Sequence, residues 1–221
     1  MSNRLNNFSV SEWLKFTQSW FVNNSRNKGV PEELIKEFVS FFTKAGDVVL
    51  DPFLKEGNTL AACYHSKRNG IGIEPEEGCV ENAKNLVKKL EGQLQLTLTG
   101  AGQHCKQFVL QGDPSNIDYL WQQYSLPEVD FLITSPPVAK GLSETFVKIK
   151  SKLRDGAYLV LILNNWNSLS AWGLVQEMSG QFQFVSEKVW CQEKPLSPQG
   201  YGYRFMPNMH HHYCFIFKKI K

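Results

Sequence analysis

The hydrophobic pattern changes period repeatedly along the chain, and the changes divide it into alternating elements. Residues 31–44, PEELIKEFVSFFTK, place Leu34, Phe38, Phe41 and Phe42 on one helical face. Pro31 stands where a helix tolerates proline, and Glu32 and Glu33 suit the positive end. DVVLD (47–51) is a short apolar run of strand length, followed by a loop, PFLKEGN, and a helical stretch over 59–69 that Gly70 is expected to end. IGIEP (71–75) reads as a second strand. Residues 76–92 read as a helix with early glutamates and late lysines, matching the macrodipole. QFVLQGD, DFLITS and AYLVLIL supply further strands, separated by helical patterns over 116–124 and 142–153. QLQLTLTG (93–100) is an alternating stretch that reads less clearly. A helix near 168–178, a strand over 182–192, a Gly/Pro-rich loop over 195–208 and a last strand over 211–219 complete the chain.

Alternating strands and helices, with nearly continuous apolar strands in the middle, predict an α/β fold whose sheet is mainly parallel and covered by helices on both faces. The last two strands, joined by a long loop without a helix, predict an antiparallel edge. Upstream, residues 11–21, SEWLKFTQSWF, predict a short helix whose aromatics pack on the body. Residues 1–30 are therefore expected to form an aromatic-rich extension, and 31–221 a single domain, since no composition break divides the 221 residues.

The 42% hydrophobic fraction places the chain among globular proteins and excludes a disordered one. A net charge of +3 permits a nucleic-acid partner without demanding one. Five cysteines, odd in number and without a C-x-x-C pair, read as reduced thiols. The absence of a long apolar run or an apolar leader makes the cytoplasm the expected location, with no membrane partner. His210, His211 and His212 are not expected to bind a metal, because consecutive residues on a strand point to alternate faces.

Chemistry is expected outside the carboxyl ends of the strands. Those ends carry Asp51, Glu74, the Gly112-Asp113 pair, and Ser135 followed by Pro136 and Pro137. Two prolines terminate sheet pairing and fix an extended exit, so a rigid backbone follows Ser135. Glu74 lies about 20 residues past the first loop, the spacing at which a carboxylate reaches a ribose diol in nucleotide-binding units. No G-x-G-x-x-G or G-x-x-x-x-G-K-[ST] loop is present. A nucleoside ligand without phosphates fits better than a nucleotide.

The segment DVVLDPFLKEGNTLAACYHSKRNGIGIEPE and the stretch ITSPP together resemble the S-adenosylmethionine and catalytic motifs of the amino-methylating DNA methyltransferases. Residues from Pro31 onward, through MPNMHHHYCFIFKK, are also similar to this family. The resemblance implies a Rossmann-like class I methyltransferase fold with a seven-stranded sheet, and S-adenosyl-L-methionine as cofactor. It further implies methyl transfer to cytosine N4 or adenine N6 of DNA. Asp51, Pro52, Phe53, Gly57 and Thr59 match the cofactor loop, Glu74 the ribose acceptor and Asp113 the group near the adenine. Ser135, Pro136 and Pro137 match the catalytic turn, and no metal is implied. RNA shares every motif as a substrate, and a homodimer or protein partner would supply target recognition.

Two positions depart from the pattern. Lys55 stands in place of the first loop glycine, and Val138 in place of an aromatic that stacks on the flipped base. A second class of reading follows: a binding or regulatory subunit that keeps the fold without the activity. The loop from Trp190 to Tyr203, with its aromatics and basic residues, reads as a groove wall for nucleic acid or as a solvated loop, and Trp166 as a packing residue.

Overall fold

The structure, a computed structural model, describes residues 5–23, 29–96, 105–137, 141–163, 171–192 and 211–220. Its strands are β1 (Trp20–Val22), β2 (Val48–Asp51), β3 (Asn69–Glu74), β4 (Gln107–Gln111), β5 (Val129–Thr134), β6 (Leu153–Leu163), β7 (Gln183–Cys191) and β8 (His211–Lys218). Its helices are α1 (Val10–Phe16), α2 (Glu32–Phe42), α3 (Asn58–His65), α4 (Glu77–Leu96), α5 (Ile117–Tyr124), α6 (Leu142–Lys150) and α7 (Ala171–Ser179). The strands form one sheet in the order β1-β7-β8-β6-β5-β2-β3-β4. Every pairing is parallel except those of β8 with β6 and β7.

The parallel centre arises because its strands are apolar on both sides. Val49, Phe131, Ile133, Val160 and Ile162 pack with α2 and α3 residues on one face. Their neighbours Leu50, Leu132, Leu159 and Leu161 pack with residues of α5, α6 and α7 on the other. Successive strand residues face opposite layers, so a continuous apolar run is what such a strand needs.

Three details differ from the sequence reading. The sheet has eight strands rather than seven, because Trp20 and Phe21, read as the end of a helix, and Val22 after them pair in parallel with Val189, Trp190 and Cys191. The antiparallel strand is not at the edge: β8 lies between β6 and β7, and β1 and β4 are the outer strands. Gly70 does not end α3 but lies within β3. The helix stops at Ser66, and Lys67 reverses the chain with φ 61°. Glycine at 70 answers a different need, since an added Cβ would come within 2.2 Å of Gln107 Oε1 and 2.6 Å of a Leu60 methyl.

The N-terminal residues are tied to the sheet at two levels. Ser9 and Glu12 form a reciprocal capping box at the start of α1. Phe16 stacks on Phe41 with ring centroids 4.0 Å apart and meets Phe38 edge-on at 5.4 Å. Trp13 also reaches Phe41, whereas Trp20 is 61% exposed and does not pack inward as expected. Beneath this contact lies Lys188 of β7, 6% exposed, whose ammonium donates to the Phe16 carbonyl. It sits 3.9 Å from the Phe16 ring centroid and 5.2 Å from that of Phe21. Burial pulls its pKa down to about 8, against the opposing fields of Cys214 and Glu37.

Candidate functional site

β2 and β5 are neighbours from which the connections depart in opposite directions, and their carboxyl ends form the switch point of the sheet. Asp51 closes β2 there, only 4% exposed. It accepts from the Thr59 hydroxyl at 2.5 Å, the Thr134 hydroxyl at 2.6 Å and the Phe53 N–H at 3.1 Å. One carboxylate therefore joins the ends of two strands to the first turn of α3. Burial pushes the Asp51 carboxyl above its ordinary range, while the two hydroxyls, the Phe53 N–H and the charge of Lys55 act in the other direction.

The loop after Asp51 folds back over β3. Leu54 N–H donates to Ile73 O at 3.0 Å, and Lys55 N–H to the Glu74 carboxylate at 2.8 Å. Lys55 has φ 54°, so the position where the family pattern has glycine keeps the left-handed backbone that glycine would favour. Gly57 follows with φ 98° and lies so close to α4 that an added Cβ would come 3.1 Å from Ala83 Cβ. The Leu54 side chain fills the space over Gly72, where an added Cβ would meet a Leu54 methyl at 2.4 Å. Gly72→Ala is therefore expected to lift the loop and lower stability by about 1–3 kcal/mol, the range for overpacking a tight site. A urea melt indistinguishable from wild type would show that Leu54 can vacate the space freely.

A cavity of about 360 Å³ opens at this point. Asp51, Phe53, Thr59 and Ser135 line it, so four of the sequence-predicted residues are brought together from three elements and the loop. Pro52, Gly57, Pro136 and Pro137 are not on its wall: the first three are buried, and Pro137 is exposed beyond the strand end. Glu74 is buried behind the loop, and its carboxylate accepts from the N–H groups of Lys55 and Glu76 rather than facing the cavity. Asp113 is exposed and caps the short 3₁₀ turn Pro114–Asn116, accepting from Ser115 N–H at 2.8 Å. Val138, Trp166, His210 and the segment 193–203 lie outside the described residues. Trp190 is a fully buried residue of β7 and donates to Asn23 O, so it is no groove wall.

The structure adds Thr134 and Glu76 to the wall. Thr134 had a sequence signal, a hydroxyl adjoining Ser135 at a strand end, but its bond to a carboxylate 83 positions upstream did not. Glu76 carried the signal of an acidic residue just before the first turn of a helix. Among the described residues, the charged residues on the wall are Asp51, Lys55, Glu56 and Glu76. Cys79, also on the wall, directs its thiol toward Glu76 at 3.5 Å, and burial followed by that carboxylate raises its pKa. Among the described residues no helix is long and apolar enough to cross a membrane.

A mainly parallel sheet with two helical layers and a lined cavity at its switch point defines a Rossmann-like class I methyltransferase fold. A TehB-like S-adenosylmethionine-dependent methyltransferase from Corynebacterium glutamicum shares it, with a TM-score of 0.57 at 10% identity over 86% of this chain and 89% of that one. The family model described as DNA methylase matches residues 4–85 of this chain. The match begins well before Pro31, so the aromatic N-terminal residues lie within the matched segment. Type II methyltransferase M.MjaI of Methanocaldococcus jannaschii is 45% identical over 49 residues, 22% of this chain and 16% of the relative. Type II methyltransferase M.HpaI of Haemophilus parainfluenzae is 31% identical over 85 residues, 37% of this chain and 27% of the relative. The matched segments thus span under a third of the length of either relative.

Proposed function

We propose that the chain transfers a methyl group from S-adenosyl-L-methionine to the exocyclic amine of a DNA base, cytosine N4 or adenine N6. The observation that carries this reading is Ser135, which stands on the cavity wall at the end of β5 beside Thr134, itself fixed by Asp51. The donor set suits the cofactor: three acidic residues and one lysine among the described residues of the wall match a sulfonium ligand that also carries an ammonium and a carboxylate. Asp51, Phe53 and Thr59 would hold it. When bound, it supplies an electrophilic methyl group.

The chain's own residues then have one task, the amine. Its lone pair is delocalised into the ring and must be localised before it attacks. The Ser135 hydroxyl oxygen and the Pro136 carbonyl each accept one N–H of the amine, which favours a pyramidal nitrogen and stabilises the positive charge that develops there. Pro136 and Pro137 keep that carbonyl from rotating away. No strong base is needed, because the alkylated amine is acidic enough to lose its proton to water. The target base has to be flipped out of the duplex or unpaired.

Ser135→Ala is expected to reduce transfer of labelled methyl to DNA about 100-fold, as for loss of one donor or acceptor at a transition-state charge. Unchanged transfer would remove Ser135 from the reaction. Transfer to RNA and none to DNA would reassign the substrate.

The enclosed carboxylate of Glu74 favours a second reading, in which the chain acts as a non-catalytic subunit paired with another protein or a second copy. Calorimetric titration with S-adenosylmethionine separates the two. Absence of binding at millimolar ligand supports the subunit.

A further inference from the structure

We infer that Lys55 is the specificity residue for the ligand's carboxylate, so that this site selects an α-amino-acid sulfonium over one lacking the carboxyl group. The inference rests on the methyl-transfer reading above. It starts from the charged residues of the cavity wall, where Lys55 is the single basic residue beside Asp51, Glu56 and Glu76 among the described residues. The carboxylates suit the two cationic groups of the ligand. Its one anionic group has a single cationic counterpart among the described residues of the wall.

Lys55 is free for that task. The ion pairs among the described residues are His65–Glu32, Lys152–Asp118, Arg154–Asp130 and Lys219–Asp155, and none includes it. Its main chain, by contrast, is fixed. The N–H is bonded to Glu74 at 2.8 Å, and the left-handed backbone at φ 54° sets the direction in which the side chain leaves. A flexible four-carbon stem on an anchored Cα gives the ammonium reach without uncertainty about where it starts. The charge is already felt inside the site, since it favours the ionised form of Asp51. The family glycine at this position has no side chain, so carboxylate recognition through it would be a property of this chain.

The carboxyl group takes no part in methyl transfer and is present in both the cofactor and its demethylated product. An interaction with it is uniform across the reaction: it lowers KM and leaves kcat unchanged.

The test is calorimetry of wild type, Lys55→Met, Lys55→Gly and Lys55→Arg with three probes: S-adenosylmethionine, S-adenosylhomocysteine and decarboxylated S-adenosylmethionine. Lys55→Gly takes up the same backbone without strain and so separates the charge from the shape of the loop. The expected result is about tenfold weaker binding of the two carboxylate-bearing probes to the Met and Gly variants, the scale of one charge-assisted contact. Binding of the decarboxylated probe should not change, and Lys55→Arg should restore the difference. In turnover, KM for the cofactor should rise by the same factor at constant kcat. Equal weakening of all three probes, or no change in any, would overturn the assignment while wild-type binding leaves the methyl-transfer reading intact. Failure of wild type to bind any of the three would overturn both.

Discussion

Asp51→Ala is expected to destabilise the protein by about 3 kcal/mol and to abolish ligand binding. The substitution strands the Thr59 and Thr134 hydroxyls and the Phe53 N–H, all of which now donate to one buried carboxylate. A buried donor left without a partner costs roughly 1–3 kcal/mol, and the two hydroxyls can each recover part of that by rotating. Asp51→Asn should cost less, because its oxygen keeps one set of donors and the facing threonine can turn to accept from the amide.

Both variants should also differ from wild type in their pH dependence. Burial raises the folded-state pKa of Asp51 above 3.8. A carboxyl raised in this way contributes stability that is fully present below the unfolded value and is lost as the pH climbs through the folded one. The neutral Asn side chain has no such term, so its deficit relative to wild type should be largest in acid and narrow toward neutrality. Urea unfolding at several pH values measures both effects. An Ala variant as stable as wild type would mean that the strand ends are held together by other contacts.

Lys188→Met should act in the opposite direction, raising stability by about 1–3 kcal/mol at pH 7, as replacement of buried charge by an apolar side chain of similar volume often does. The lysine pKa falls from 10.5 to about 8 in the folded protein. Below the lower value the charged form is present in both states, and its burial opposes folding. Between the two values the unfolded chain binds more protons than the folded one, so wild-type stability should rise by about 3 kcal/mol across that window. The difference between wild type and Lys188→Met isolates this one group and is the useful readout. That difference should shrink with rising pH. A Met variant less stable at pH 7 would show that the bond to the Phe16 carbonyl and the contact with the aromatic rings outweigh the desolvation of the ammonium.

The contrast between these two buried groups marks how far the sequence could be read. Asp51 was recognisable because it sits at the end of an apolar run and heads a loop of distinctive composition. Its partner Thr59 lay within that same loop and helix, whereas Thr134 is reached only across the sheet. Lys188 carried no signal at all, since a lysine in FQFVSEKVWCQ reads as a solvent-facing strand residue until α1 is laid over it. The strands from β2 to β6 were legible for a local reason: each is an apolar run of strand length between helical patterns. β1 was not, because Trp20, Phe21 and Val22 continue an amphipathic stretch and become a strand only by pairing with β7. The exchange of expected edge and interior in β8 has the same origin, as pairing order is set by tertiary packing rather than by sequence order. Glu74 was placed at the right strand end, yet whether its carboxylate faces a ligand or the loop depends on Lys55 and Glu76.

The pairing of β1 with β7 imposes an order on events during synthesis. β1 leaves the ribosome long before its partner β7, which lies far downstream in the chain. Until Val189, Trp190 and Cys191 emerge, the backbone of Trp20 to Val22 has no strand to join. Closing so long a loop late is entropically slow. α1 does not have to wait: its Phe16 can stack on Phe41 as soon as α2 has formed. The aromatic contact can therefore hold the segment of β1 beside the growing sheet until β7 is made and pairs with it.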